Sequence, residues 1–122
     1  GMRVPAYSSA PGKAILAHLP EIERKEFLSA VKLKRFTPTT CSSQKKLFIN
    51  LAQTRNLGFA TDIAEGLEGI HCVAAVILDS YHYPIAALTV IAPAFRLPES
   101  RMATVGEQCI AAAASARQQM LK

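Results

Sequence analysis

Two apolar runs constrain this chain more than any other feature: Ile70 to Asp79 and Ile85 to Ala92, separated only by Ser80-Tyr81-His82-Tyr83-Pro84. Both are moderately rich in β-branched residues and the segment between them suits a reversal, so they predict a β-hairpin. Strands that are apolar on both faces belong in a sheet covered on both sides. A third, shorter strand is predicted over Phe59 to Asp62, followed by a polar, glycine-punctuated connection from Ile63 to Gly69. Three strands make a thin sheet for so apolar a pair. Elements from a missing N-terminal part, or from a partner chain, are expected to complete it.

The helices that cover such a sheet can be read on either side of it. Ser9 can cap a first helix through Ala14-Ile15-Leu16-Ala17, with Pro11 early enough that its missing N–H costs nothing. Pro20 opens a second helix with Glu21 and Glu23 in its first turn and Ile22, Phe27, Leu28 and Val31 on one face. Lys32, Lys34 and Arg35 are expected near its end, where they complement the macrodipole. Phe36 to Thr40 reads as an extended loop. Ser42 or Ser43 caps a third helix carrying Leu47, Phe48, Leu51 and Ala52 on one side, which Gly58 ends in the left-handed conformation. From Glu99 a long helix runs to the terminus with Met102, Val105, Cys109, Ala112, Ala116 and Met120 at spacings of three and four. Its Ala111 to Ala114 run is a low-profile surface for another helix or subunit. The order is helices, then strands, then a helix: mixed α/β, of α+β type, with antiparallel pairing.

At 122 residues and 13.2 kDa this is one domain. Half the residues are hydrophobic and 19% charged, a balance that excludes a disordered chain. The longest apolar stretch, Cys72 to Leu78, is far too short to span a bilayer. The start, Gly1-Met2-Arg3, lacks a signal-peptide pattern, and a Gly before a Met reads as a cleavage scar. The expected unit is a cytoplasmic domain over residues 2–122, cut from a longer protein.

The chemistry-bearing residues form few constellations. The net charge of +5 is dispersed over short basic clusters without interleaved aromatics, a pattern of solvated surface rather than of a nucleic-acid face. Cys41, Cys72 and Cys109 show no CxxC spacing, so reduced thiols are expected. His71 and Cys72 are adjacent on a strand and point to opposite faces, and no metal site or cofactor is expected. No G-x-S-x-G elbow is present. Asp62, Glu65 and Glu68 share one loop and read as a solvated face. Gly66 to Gly69 lacks the spacing of a phosphate cradle. The capped helix start at Ala10 to Lys13 presents backbone N–H groups and a positive dipole end, a candidate anion site that can equally be a buried helix start. The alternate residues Cys72, Ala74, Val76 and Ala87, Thr89, Ile91 line faces that can be pocket wall or packed core.

Five segments together resemble the effector-binding domain of the isocitrate-lyase-regulator (IclR) family of bacterial transcription factors. They are Ser9-Ala10-Pro11-Gly12-Lys13-Ala14-Ile15-Leu16-Ala17-His18-Leu19-Pro20, the loop Thr37-Pro38-Thr39-Thr40 and Arg55-Asn56-Leu57-Gly58-Phe59-Ala60-Thr61-Asp62. Glu65, Gly69, Cys72-Val73-Ala74-Ala75 with Ile77 to Asp79, and finally Pro84 to Arg96, complete the series in order. The resemblance implies a GAF-like fold, an antiparallel sheet flanked by helices, joined in the family to an N-terminal winged helix-turn-helix that contacts operator DNA. It also implies a homodimer or homotetramer, no membrane, no catalysis, and a small carboxylate as effector.

The same resemblance implies the site. The backbone of Ala10, Pro11 and Gly12 would face the effector's anionic end, Asp62 would accept from a hydroxyl, and Cys72, Thr89 and Ile91 would complete the pocket. Pro11 brings no N–H, and Ile91 stands where the family carries a hydroxyl. Val76 and Ala92 replace a Pro and a Gly. An effector with one carboxylate and an apolar or aromatic body is expected. The alternatives from other classes are a small enzyme using Cys72 or Asp62 in the same cavity, and a structural oligomerisation module without ligand.

Overall fold

The computed structural model describes residues 3–121. Gly1 and Met2, and with them the expected scar and domain start, lie outside the described residues, as does Lys122. A 3-10 turn at Ala6–Ser8 leads into helix α1 (Ala10–His18), then α2 (Glu21–Ala30) and α3 (Gln44–Leu57). Strands β1 (Ala60–Ile63), β2 (Ile70–Leu78) and β3 (Pro84–Pro93) follow, and α4 (Glu99–Met120) closes the chain. The strands form one antiparallel sheet in the order β1-β2-β3. The predicted hairpin is present: Asp79 Oδ1 accepts from the N–H groups of Tyr81 and Tyr83 at 2.8 and 2.9 Å and shapes its turn.

The two faces of β2 are separate environments because side chains alternate along it. Val73, Ala75 and Ile77 pack beneath α4 with Phe59, Leu97, Met102, Val105, Cys109 and Ala113. Cys72 and Ala74 turn the other way, toward Ala10 and Ala14 of α1 and Ala60 of β1. A second apolar cluster joins Leu16 and Ala17 of α1 to Leu28 of α2 and to Leu47 and Leu51 of α3. The coverage expected on both sides is closest at the middle of β2, from Cys72 to Ala75, and only partial for β3. As the edge strand, β3 leaves Ile85, Val90 and Ile91 exposed.

The caps follow the sequence. Ser9 Oγ accepts from Gly12 N–H, Ser43 Oγ accepts from Lys46 N–H, and Gly58 ends α3 at φ +87°. Several helix faces differ from expectation. Ile22 is 73% exposed, because it sits in the first turn of α2, away from the cluster that Leu28 enters. Val31 is already extended, so Lys32, Lys34 and Arg35 lie beyond α2 and do not complement its dipole. On α3 the inward face is Leu47, Leu51 and Thr54, with Phe48 half-exposed and Ala52 exposed. On α4 the buried line is Met102, Val105, Gly106, Cys109 and Ala113, while Ala112 and Met120 face out. Gly106 allows the close fit there, since a Cβ would stand 2.6 Å from the Phe59 ring.

Candidate functional site

The α1 face of the sheet does not close. Alanines and a cysteine there leave room where the α4 face carries larger side chains, and a cavity of about 690 Å³ opens at the edge of α1. Asp62, Cys72 and Thr89 form its floor, Ile91 its rim, and Pro11 and Gly12 one side. The register explains this assembly: Asp62 pairs with Cys72, Cys72 with Ile91, and Ala74 with Thr89, so the four side chains share one face. Thus six of the seven residues named from the sequence line one cavity. The exception is Ala10, which is fully buried against Ala14, Ala60 and Ala74 as the first residue of α1 on its sheet-facing side.

The rest of the lining carried no local signal. Arg3 to Ala6 cross the helix start and form a second wall, Phe36 reaches in from the loop after α2, and Leu67 closes the far side. The approach of the first segment depends on Gly12, where any Cβ would collide with the backbone of Ala6. The Phe36 ring lies 6.4 Å from that of Tyr7. Tyr7 in turn accepts from the Lys34 N–H at 2.8 Å, which fixes the loop against the N-terminal segment.

The helix start offers fewer amides than its sequence promises. Pro11 has none, Gly12 N–H donates to Ser9 Oγ at 3.2 Å, and Lys13 N–H donates to Ser9 O at 2.9 Å. Cationic help must come from a side chain, and Arg3 supplies one in the lining.

The acidic loop is not the solvated face expected of it; only Glu68 is exposed. Asp62 and Glu65 are buried, and Glu65 meets the buried Lys13 ammonium at 2.9 and 3.1 Å. Glu65 Oε2 also accepts from Ile63 N–H at 3.0 Å, and Glu65 N–H donates to Asp62 Oδ1 at 2.7 Å. The threonine loop clamps the same segment. Thr37 Oγ1 donates to Ala64 O at 2.6 Å, Thr39 Oγ1 to Ile63 O at 2.7 Å, and Thr40 Oγ1 to Glu65 O. Ala64 is held at φ +55°, a left-handed conformation that such tethers sustain.

Burial raises the Asp62 carboxyl above the usual carboxylate range, against the opposing pull of the Glu65 N–H. Cys72 responds more strongly. Burial first, and the charge of Asp62 next, push its thiol up to about 12. Such a thiol is protonated at neutral pH and is a poor nucleophile. His71 faces away from the cavity, its Nδ1 2.8 Å from the Leu97 carbonyl.

A family model described as bacterial transcriptional regulator IclR C-terminal matches residues 1–117. The HTH-type transcriptional repressor AllR of Escherichia coli K12 is 36% identical over 107 residues, 88% of this chain, which spans only 40% of that repressor's length. The solved Thermotoga maritima IclR is 36% identical and superposes with a TM-score of 0.88, covering 99% of this chain and 49% of that one. A double mutant of the inducer-binding domain of Acinetobacter PobR, in complex with 3-hydroxybenzoic acid, is 25% identical with a TM-score of 0.85, covering 96% of this chain and 67% of that one. Sequence match, fold and length of overlap agree: the chain belongs to the IclR C-terminal family of bacterial transcriptional regulators.

Proposed function

We propose that this chain is the ligand-sensing part of a cytoplasmic DNA-binding transcriptional regulator, and that its effector is a monocarboxylate with an apolar or aromatic body. The observation that carries the reading is the cavity itself. Its volume of about 690 Å³ suits a small metabolite, and its lining is mostly apolar with a few polar groups. Asp62 and Thr89 would meet a hydroxyl, Arg3 and the Gly12 end of α1 the carboxylate, and Phe36, Leu67 and Ile91 the body. PobR, whose inducer-binding domain is solved with 3-hydroxybenzoic acid, supports that class of ligand.

Melting of the protein with 3-hydroxybenzoate, branched-chain carboxylates, pyruvate and glyoxylate tests the proposal. A ligand that binds the native state stabilises it by about 2.7 kcal/mol at a hundred times its Kd. The aromatic or branched acids are expected to raise the Tm. A shift with pyruvate or glyoxylate alone would overturn the reading.

The chain itself performs no catalysis in this reading; burial and the charge of Asp62 make the Cys72 thiol a poor nucleophile. Operator DNA is contacted by a separate region of the full regulator. Self-association, as a dimer or tetramer, uses the exposed Ala111, Ala112 and Ala114 of α4, whose small side chains let another helix come close. Sedimentation that finds only monomer up to a millimolar stock would remove that part.

A further inference from the structure

We infer that Lys13 and Glu65 are positioning residues of the cavity: from behind its lining, their ion pair ties the helix that carries Pro11 and Gly12 to the loop that follows Asp62, and it aims the Asp62 carboxylate. The inference rests on the effector reading of the same cavity. Both members are buried, with side-chain exposures of 1% and 11%. A buried ion pair is weak evidence of stabilisation, because an apolar pair of similar volume is often as stable or more so. Its geometry points instead to orientation.

Lys13 follows the wall residues Pro11 and Gly12 on α1 without lining the cavity itself, and its side chain reaches across 52 positions of sequence to Glu65. The Glu65 carboxylate spends its remaining capacity on the N–H of Ile63, the residue next to Asp62. The Glu65 backbone N–H then donates to Asp62 Oδ1. One residue therefore grips the helix with its side chain and the acceptor with its amide. Asp62 lines the cavity with one oxygen committed to the Glu65 amide and a further hydrogen bond from the Cys72 thiol. The charged and titratable groups around it are Lys13 from α1, Glu65 from its own loop, Cys72 from β2 and Arg3 from the N-terminal segment.

The test needs no effector, so its failure is read apart from failure of the effector proposal. NMR follows the amide proton at position 65 and the Asp62 side-chain carbon through a pH titration of the ligand-free protein. In the unmodified protein the amide proton moves with the Asp62 titration. In the double variant Lys13→Met with Glu65→Met, a cooperative melt is expected to persist, the amide at 65 to lose that coupling, and the Asp62 midpoint to rise. Lys13→Arg, which keeps the cation, is expected to retain the coupling. Removal of the Glu65 charge alone would lower the midpoint, so an unchanged or lowered midpoint with coupling intact overturns the inference. Should the double variant lose its cooperative melt, Glu65→Gln is read by the coupling alone: its loss supports the inference and unchanged coupling overturns it.

Discussion

The two faces of one sheet have been given opposite tasks. Beneath α4, Phe59, Val73, Ile77, Met102 and Val105 fill the space between helix and strands, and Cys109 is one more apolar neighbour whose thiol burial pushes up. Beneath α1, Cys72 keeps company with alanines, a carboxylate and a cavity. Successive residues of β2 thus face a packed core and a more open, small-residue face in alternation. Side-chain volume decides which: large residues exclude a ligand, and small ones leave the room that a ligand would fill.

The largest effect that can break this comparison is expected on the packed face. Phe59→Ala empties the centre of the α4 cluster and is expected to cost about 3–5 kcal/mol in urea unfolding, with ligand preference unchanged. A loss confined to ligand binding would mean the two faces are not separable.

Gly12→Ala is the counterpart on the open face. Its methyl meets the Ala6 backbone rather than a side-chain tip, so the N-terminal wall must shift. A stability loss of about 1–3 kcal/mol is expected, as for other overpacked sites, together with loss of the thermal shift by 3-hydroxybenzoate. Full retention of that shift would remove Arg3 to Ala6 from the site.

Asp62 sharpens the contrast through pH. Its folded-state pKa lies above the ordinary value, so the native state holds this proton more tightly than the unfolded chain does. That contribution is full below the unfolded-state value of about 3.9 and is lost as pH rises through the folded value. Asp62→Asn keeps an acceptor for the Glu65 N–H and is expected to flatten the stability profile across that window. A profile identical to the parent's would show that Asp62 ionises as if in solvent.

The cysteines give a smaller, purely chemical readout. Iodoacetamide at pH 8 is expected to label the half-exposed Cys41 and to spare Cys72 and Cys109. Rapid labelling of Cys72 would revive the enzyme reading. The smallest effect on folding belongs to Ile91→Ser, because Ile91 is 67% exposed at the cavity rim. Its stability change is expected within about 0.5 kcal/mol, while ligand preference moves toward smaller, more polar acids in calorimetry.

Features written in neighbouring residues were legible in the sequence. The hairpin, the Ser9 cap and the Gly58 stop each need only a few consecutive positions, and the alternation of β2 places Cys72 once the strand is known. The α4 stripe was legible through Met102, Val105 and Cys109 and was lost beyond them, because within Ala111 to Ala114 every residue is alike and only the sheet selects Ala113. The buried acids were hidden for another reason. A loop with three carboxylates looks solvated until the cation that meets one of them is found in a distant helix. The wall from Arg3 to Ala6 left a single trace, a glycine at position 12 whose purpose is visible only when the backbone of Ala6 lies on it. Family resemblance supplied the candidate pocket positions, six of which line the cavity, while the Ala10 side chain packs into the core.

The threonine clamp has a consequence for how such a site can change over time. Thr37, Thr39 and Thr40 grip Ile63, Ala64 and Glu65 only by their carbonyl oxygens, which every amino acid possesses. A fastening of that kind is blind to side chains. The clamp therefore sets no condition of its own on the side chain at position 64, where the left-handed φ of +55° is the remaining filter on what can stand there.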